Sequence, residues 1–216
     1  MIDYQTIKLA DNKILEYALA LPAGFDPARP YPVLLAFPPG LQSRDMVAWG
    51  LSSYWLPEAR RRGWLVVSPA APHGVLFFKG AEALIPEFLQ QIAAQVTLEG
   101  DKFHLAGISN GGISSFRIAL NNPELFHSIT VLPGFPPTDA DMDNLAVLKN
   151  IPVNMFVGQQ DTVWVDKMKA AQIKLTELGG SATLEVVSGE GHVIQRLAGG
   201  QELFDLLDSL RPNQSL

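Results

Sequence analysis

Six short apolar runs, at residues 33–37, 64–68, 103–108, 128–132, 153–157 and 183–187, constrain this chain more than any other feature of it. Each has the length of one strand. The first, Val33-Leu34-Leu35-Ala36-Phe37, has no polar residue on either face, as in strands buried on both sides of a parallel sheet. Segments with helical character lie between and after the runs, at 46–62, 81–96, 112–121, 165–178 and 201–210. Strand and helix therefore alternate from Val33 onward, which predicts an α/β fold: a mostly parallel, doubly wound sheet with helices on both faces and a site at the carboxyl ends of its strands. Ahead of it, residues 4–9 and 13–21 flank the turn-like Asp11-Asn12, so an N-terminal antiparallel hairpin at the sheet edge brings the expected sheet to eight strands. Residues 22–32, rich in Pro, Gly and Asp, read as a connecting loop.

With 216 residues and 47% hydrophobic side chains, the chain suits one domain spanning 1–216, and no repeat or long linker divides it. A net charge of −6 argues against a nucleic-acid partner. The one basic cluster, Arg60-Arg61-Arg62, ends a predicted helix, where cations complement the negative end of the macrodipole. The absence of cysteine excludes disulfides, a thiolate nucleophile and thiolate metal ligands. No His-x-x-x-His or clustered carboxylate spacing is present, so neither metal nor cofactor is expected. Met1-Ile2-Asp3-Tyr4 lacks the opening of a signal peptide, and no apolar run approaches membrane-spanning length; a soluble cytoplasmic protein without a membrane partner is the expectation. Residues 212–216 are expected to fray.

Gly107-Ile108-Ser109-Asn110-Gly111 joins the run at 103–108 to a helical segment. A serine at such a strand–turn–helix corner takes a strained backbone conformation that lifts its hydroxyl above the sheet, and glycines two before and two after it allow the turn to close. The following helix aims its free N–H groups at the serine, with the backbone N–H of Asn110 placed to stabilise a developing oxyanion. Ser109 then needs a general base and a carboxylate to orient that base. Of the four histidines, His104 lies in the strand before Ser109 and His127 at the opposite sheet edge, so both read as structural. His73 follows the second run and is the rival or a substrate contact. His192, in the loop Gly189-Glu190-Gly191-His192 after the last run, has the stronger position. Asp161 follows the run at 153–157 and is the expected acid. Asp166 reads as a helix-starting charge, Glu190 as the lesser candidate, and Asp139, Asp141 and Asp143 as a solvated loop.

On these motifs, together with Leu21-Pro22-Ala23-Gly24-Phe25 before the first central run, the chain resembles small members of the α/β-hydrolase superfamily. It is similar to lidless carboxylesterases, feruloyl esterases and polyhydroxyalkanoate-depolymerase-like esterases. The resemblance covers almost the whole chain and implies a serine esterase acting through an acyl-enzyme with Ser109, His192 and Asp161. Relatives carry His-Gly after the first central strand, whereas this chain reads Phe37-Pro38-Pro39-Gly40-Leu41. Proline has no N–H, so the first oxyanion donor is Gly40 or Leu41. Only residues 133–152 stand where larger relatives insert a cap, which implies an open cleft for short-chain, aryl or other soluble esters. Phe135, Trp164, Phe77 and Phe78 are candidates for its wall, although core packing is the plainer reading of each. A peptidase or acyltransferase of the same fold is the enzymatic alternative, and a catalytically silent binding protein the non-enzymatic one. Oligomeric state has no signature in the sequence.

Overall fold

The structure, a computed structural model, describes residues 2–212; the end expected to fray lies outside them from residue 213 onward. Strands β1 (Asp3–Lys8) and β2 (Ile14–Ala20) form the hairpin, whose turn residues Asp11 and Asn12 take φ of +56° and +58°. Asp and Asn tolerate this left-handed region because their short polar side chains bond locally. The parallel strands are β4 (Val33–Phe37), β5 (Leu65–Pro69), β7 (Phe103–Gly107), β8 (Phe126–Val131), β9 (Val153–Gly158) and β10 (Ala182–Val187). The eight-stranded sheet has the order β1-β2-β5-β4-β7-β8-β9-β10, and β2 joins it antiparallel to β5. A separate parallel pair, β3 (Pro30–Tyr31) with β6 (Thr97–Leu98), ties down the loop before β4.

Alternation along the strands divides the interior into two cores. Val33, Leu35 and Phe37 face helices α3 (Ile85–Ala93), α4 (Asn110–Asn121) and α6 (Thr162–Glu177), packing among Phe88, Phe116 and Met168. Leu34 and Ala36 face the other way, toward α1 (Arg44–Gly50), α2 (Leu56–Arg62) and α7 (Gln201–Ser209), among Trp55, Leu203 and Phe204. Strand order reverses at β4, because β5 lies on one side of it and β7 on the other. A crevice opens at such a switch point, outside the carboxyl ends of the two strands.

Several expected elements differ in detail. The helix expected over 46–62 is α1 and α2 joined by a π-turn, Leu51–Trp55. Pro57 causes the irregularity: lacking an N–H, it leaves the Ser53 carbonyl without its helical donor, and the N–H of Gly199 takes that place at 2.8 Å. Residues 81–96 likewise divide into a 3-10 turn, Ala81–Leu84, and α3, with Pro86 in its first turn. Helix α6 begins at Thr162, so Asp166 lies inside it and does not start it. The acidic stretch is a short helix, α5 (Asp139–Asp143), and not a loop; Asp139 and Asp143 are exposed as expected, whereas Asp141 is buried and accepts from the Arg117 guanidinium at 2.7 Å and from the Thr138 hydroxyl at 2.5 Å. The arginine cluster does more than complement a dipole. Arg62, 13% exposed, bridges Glu58 at 2.7 Å, Asp205 at 2.5 Å and Asp208 at 2.8 Å, clamping α2 to α7.

His104 and His127 occupy the structural positions expected of them. The His104 ring is buried against Trp64 and His127, with Nδ1 2.8 Å from Ser128 Oγ. Burial, and secondarily the neighbouring His127, lowers its pKa to about 3. Between that value and the ordinary 6.5 the unfolded chain binds a proton that the folded chain refuses, so this contribution is complete above pH 6.5 and is lost as the pH falls. Linkage puts the loss at roughly 3 kcal/mol by pH 4. Urea unfolding at pH 7 and pH 4 should therefore show a larger acid loss in wild type than in His104→Asn; equal losses would rule out His104 as the source.

Candidate active site

The turn after β7 is built by close backbone approach. A Cβ on Gly107 would stand 2.2 Å from the Gly111 carbonyl oxygen, and one on Gly111 would stand 2.1 Å from that of Phe37, so only glycine fits at either position. Between them Ser109 has φ +55° and ψ −118°, a strained conformation for a residue with a side chain. Its N–H donates to the Leu132 carbonyl at 3.2 Å, and its own carbonyl accepts from Ile113 at 3.0 Å, which over-determine the strain.

Asp161 starts α6 through its main chain, accepting from Trp164 and Val165 N–H at 3.0 Å each. An aspartate at this position usually caps the helix with its side chain as well. Here the carboxylate makes no cap bond and lies 2.5 Å from His192 Nδ1. A carboxylate only accepts, so Nδ1 carries the proton and Nε2 presents a lone pair. Nε2 lies 2.8 Å from Ser109 Oγ, within reach of the hydroxyl proton.

The loops carrying Asp161 and His192 are locked to each other. A Cβ on Gly158 would meet the Gly191 carbonyl at 2.0 Å. Gln160 N–H donates to the Glu190 carbonyl at 2.9 Å, and the Gln159 side chain accepts from Gly189 N–H at 3.2 Å. Glu190 does not compete for the imidazole, since its carboxylate accepts from Gln195 and Arg196 N–H at 3.1 and 2.9 Å. The Trp164 ring stands edge-on to His192 at 4.9 Å, and Phe135 to Trp164 at 4.7 Å. Phe77 is wholly buried against Phe37 and belongs to the core, while Phe78 carries Lys79 over its ring at 5.4 Å.

The loop after β4 closes a turn in which Gln42 N–H donates to the Pro39 carbonyl at 2.9 Å, with Gly40 and Leu41 at its corner. Among the described residues, the N–H groups of Gly40, Leu41 and Asn110 donate to no protein acceptor. The Asn110 side chain donates to the Gly40 carbonyl at 2.8 Å, so turn and elbow are in contact. Among the described residues His73 makes no hydrogen bond to Ser109, Asp161 or His192. It sits in a strained turn, φ +50°, beside a groove of about 720 Å³ also lined by Lys13, Glu16 and Leu84. Gln42, which sequence reasoning did not single out, closes the turn after β4 with its side chain buried. Among the described residues no three His, Asp or Glu side chains are grouped to hold a metal ion, and no helix is long and apolar enough to cross a membrane.

Comparison with known proteins agrees with this architecture. A family model described as "Putative esterase" matches residues 57–214. No curated protein matches the sequence. Among solved structures, a thermostable esterase superposes with a TM-score of 0.79 at 17% identity, covering 96% of this chain and 62% of that one. The chain thus spans about three-fifths of that relative's length. A ferulic acid esterase gives 0.75 at 16% identity over 98% of both chains, and an S-formylglutathione hydrolase from Agrobacterium tumefaciens gives 0.74 at 15% identity over 97% and 94%. The sheet has the α/β-hydrolase fold of these structures, and with a family match over most of its length the chain belongs to this esterase family.

Proposed function

We propose that the protein hydrolyses carboxylic esters through an acyl-enzyme on Ser109. The observation that carries this reading is the unbroken hydrogen-bonded line from Asp161 through His192 to Ser109, drawn from three strand ends at the carboxyl edge of the sheet. Ser109 Oγ attacks the ester carbonyl carbon while its proton passes to His192 Nε2, and the Asp161 carboxylate stabilises the imidazolium that forms. The oxyanion is met by the Asn110 N–H and by the N–H of Gly40 or Leu41. The imidazolium then gives its proton to the leaving alcohol oxygen as the C–O bond breaks. Water, deprotonated by His192, cleaves the acyl-enzyme and restores Ser109.

The substrates fitting this site are short or aryl esters that arrive free in solution. The His192 side chain is 41% exposed, and only α5 and the 3-10 turn Leu145–Leu148 stand between β8 and β9, so the cleft is open. Trp164 and Phe135, both partly buried, offer an aromatic wall beside the base. Mixing the protein with p-nitrophenyl acetate should release a burst of about one equivalent of nitrophenol, and a fluorophosphonate should label Ser109 stoichiometrically. A folded protein that takes no label would instead be a silent binding protein. Partitioning of the acyl group to an added alcohol or amine would move the assignment to acyl transfer.

A further inference from the structure

Gln42 takes no part in the chemistry above, yet it is wholly buried and its backbone is held at φ +55°, a region that side-chain-bearing residues rarely occupy. Four hydrogen bonds hold it there. Its N–H closes the Pro39–Gln42 turn at 2.9 Å, and its carbonyl accepts from Ala71 N–H at 2.7 Å. Its Oε1 accepts from Phe77 N–H at 2.9 Å, and since that group can only donate, the amide's other end is fixed as donor. Nε2 donates to Ser114 Oγ at 2.9 Å, in the interior of the protein. Ser114 in turn donates to the Asn110 carbonyl at 2.9 Å. A chain of hydrogen bonds, buried as far as Ser114, therefore runs from the loop at Phe77, through Gln42 beside the Gly40-Leu41 corner, to Asn110 at the start of α4.

We propose that Gln42 is a positioning residue for the oxyanion site, holding the Gly40-Leu41 N–H groups at a set distance from that of Asn110. This rests on the esterase reading. The stretch needs such a brace because Pro38 and Pro39 have no N–H with which to anchor the turn themselves. The exposed bond from the Asn110 side chain to the Gly40 carbonyl lies open to water, whereas the Gln42–Ser114 link is buried on both sides. Glutamine suits the position because one side chain must offer an acceptor at one end and a donor at the other, at a reach that asparagine lacks. Leucine matches its size and makes neither bond.

The test compares wild type, Gln42→Leu, Ser114→Ala and Ser109→Ala for p-nitrophenyl acetate hydrolysis, inhibition by a trifluoromethyl ketone and thermal unfolding. Removing one oxyanion donor outright costs about 10²- to 10³-fold in kcat, so displacing one by losing its brace should cost about 10- to 100-fold. Gln42→Leu should show that loss in kcat with KM within about threefold, and the ketone's Ki should rise in parallel, because Ser109 Oγ adds to the ketone carbonyl, its proton passing to His192, and the resulting hemiketal oxyanion is held by the same N–H groups. Ser114→Ala should show the same pattern at about 3- to 10-fold. A purely structural role would lower the melting temperature without separating kcat from KM or moving the ketone's Ki. A folded Gln42→Leu with kcat within twofold of wild type, or a lowered kcat with unchanged Ki, overturns the inference; if Gln42→Leu does not fold, Ser114→Ala decides by the same criteria. If wild type and Ser109→Ala hydrolyse equally, the esterase reading itself falls and the inference with it.

Discussion

Replacement of Ser109 with Ala is expected to lower kcat for p-nitrophenyl acetate by about 10⁵- to 10⁶-fold, abolish the nitrophenol burst and abolish fluorophosphonate labelling. The size of the effect follows from covalent catalysis. Without Oγ there is no atom 2.8 Å from His192 Nε2 to carry the acyl group, and only water at the oxyanion site remains. Folding should be unaffected, since the turn is held by Gly107, Gly111 and the main-chain bonds of Ser109, none of which uses the hydroxyl. Alanine also accepts the strained φ no worse than serine does. Loss of less than about tenfold, measured with protein of matched melting temperature, would reject Ser109 as nucleophile.

Asp161→Asn should cost about 10⁴-fold in kcat. The change is nearly isosteric, so the cost comes from the tautomer. The carboxylate requires a proton on His192 Nδ1, whereas an amide can turn its NH₂ toward Nδ1 and leave the proton on Nε2, where it faces Ser109 and blocks acceptance of the hydroxyl proton. Stabilisation of the imidazolium is lost as well. Glu190→Gln serves as the control, because its carboxylate braces the main chain at Gln195 and Arg196 and is not bonded to the imidazole. If Glu190→Gln proved the more damaging of the two, the acid would have to be reassigned.

The fold was largely legible in the sequence because burial on both faces leaves a local signature. Val33 to Phe37 reads as a central strand whatever surrounds it, and in the structure all five residues are buried. Element boundaries were less legible where a proline acts through a distant partner. Nothing near Pro57 announces that Gly199 will supply the N–H its helix lacks, so the interruption at Leu51–Trp55 could not be read. Charge patterning misled at one position of three: Asp139 and Asp143 are exposed as expected, but Asp141 is buried because Arg117, on another helix, reaches it.

At the site, Ser109 was readable because the elbow is a contiguous demand on five residues, with glycine required where backbone meets backbone. His192 and Asp161 were named from their places after successive strands, but sequence alone left His73 and Glu190 in competition. In the fold it is His192 that is hydrogen-bonded to Ser109 and Asp161, through contacts between residues 83 and 31 positions apart that no local pattern announces, since a hydrogen bond exists only where folding brings two atoms to about 3 Å. Gln42 marks the limit most sharply. By itself the sequence determined a doubly wound sheet with a serine elbow, since periodicity and glycine placement are local properties. Folding decided that a glutamine 72 residues from Ser114 would lie buried beside it, next to the Gly40-Leu41 turn, because a buried amide finds its hydrogen bonds only in the partners that enclose it.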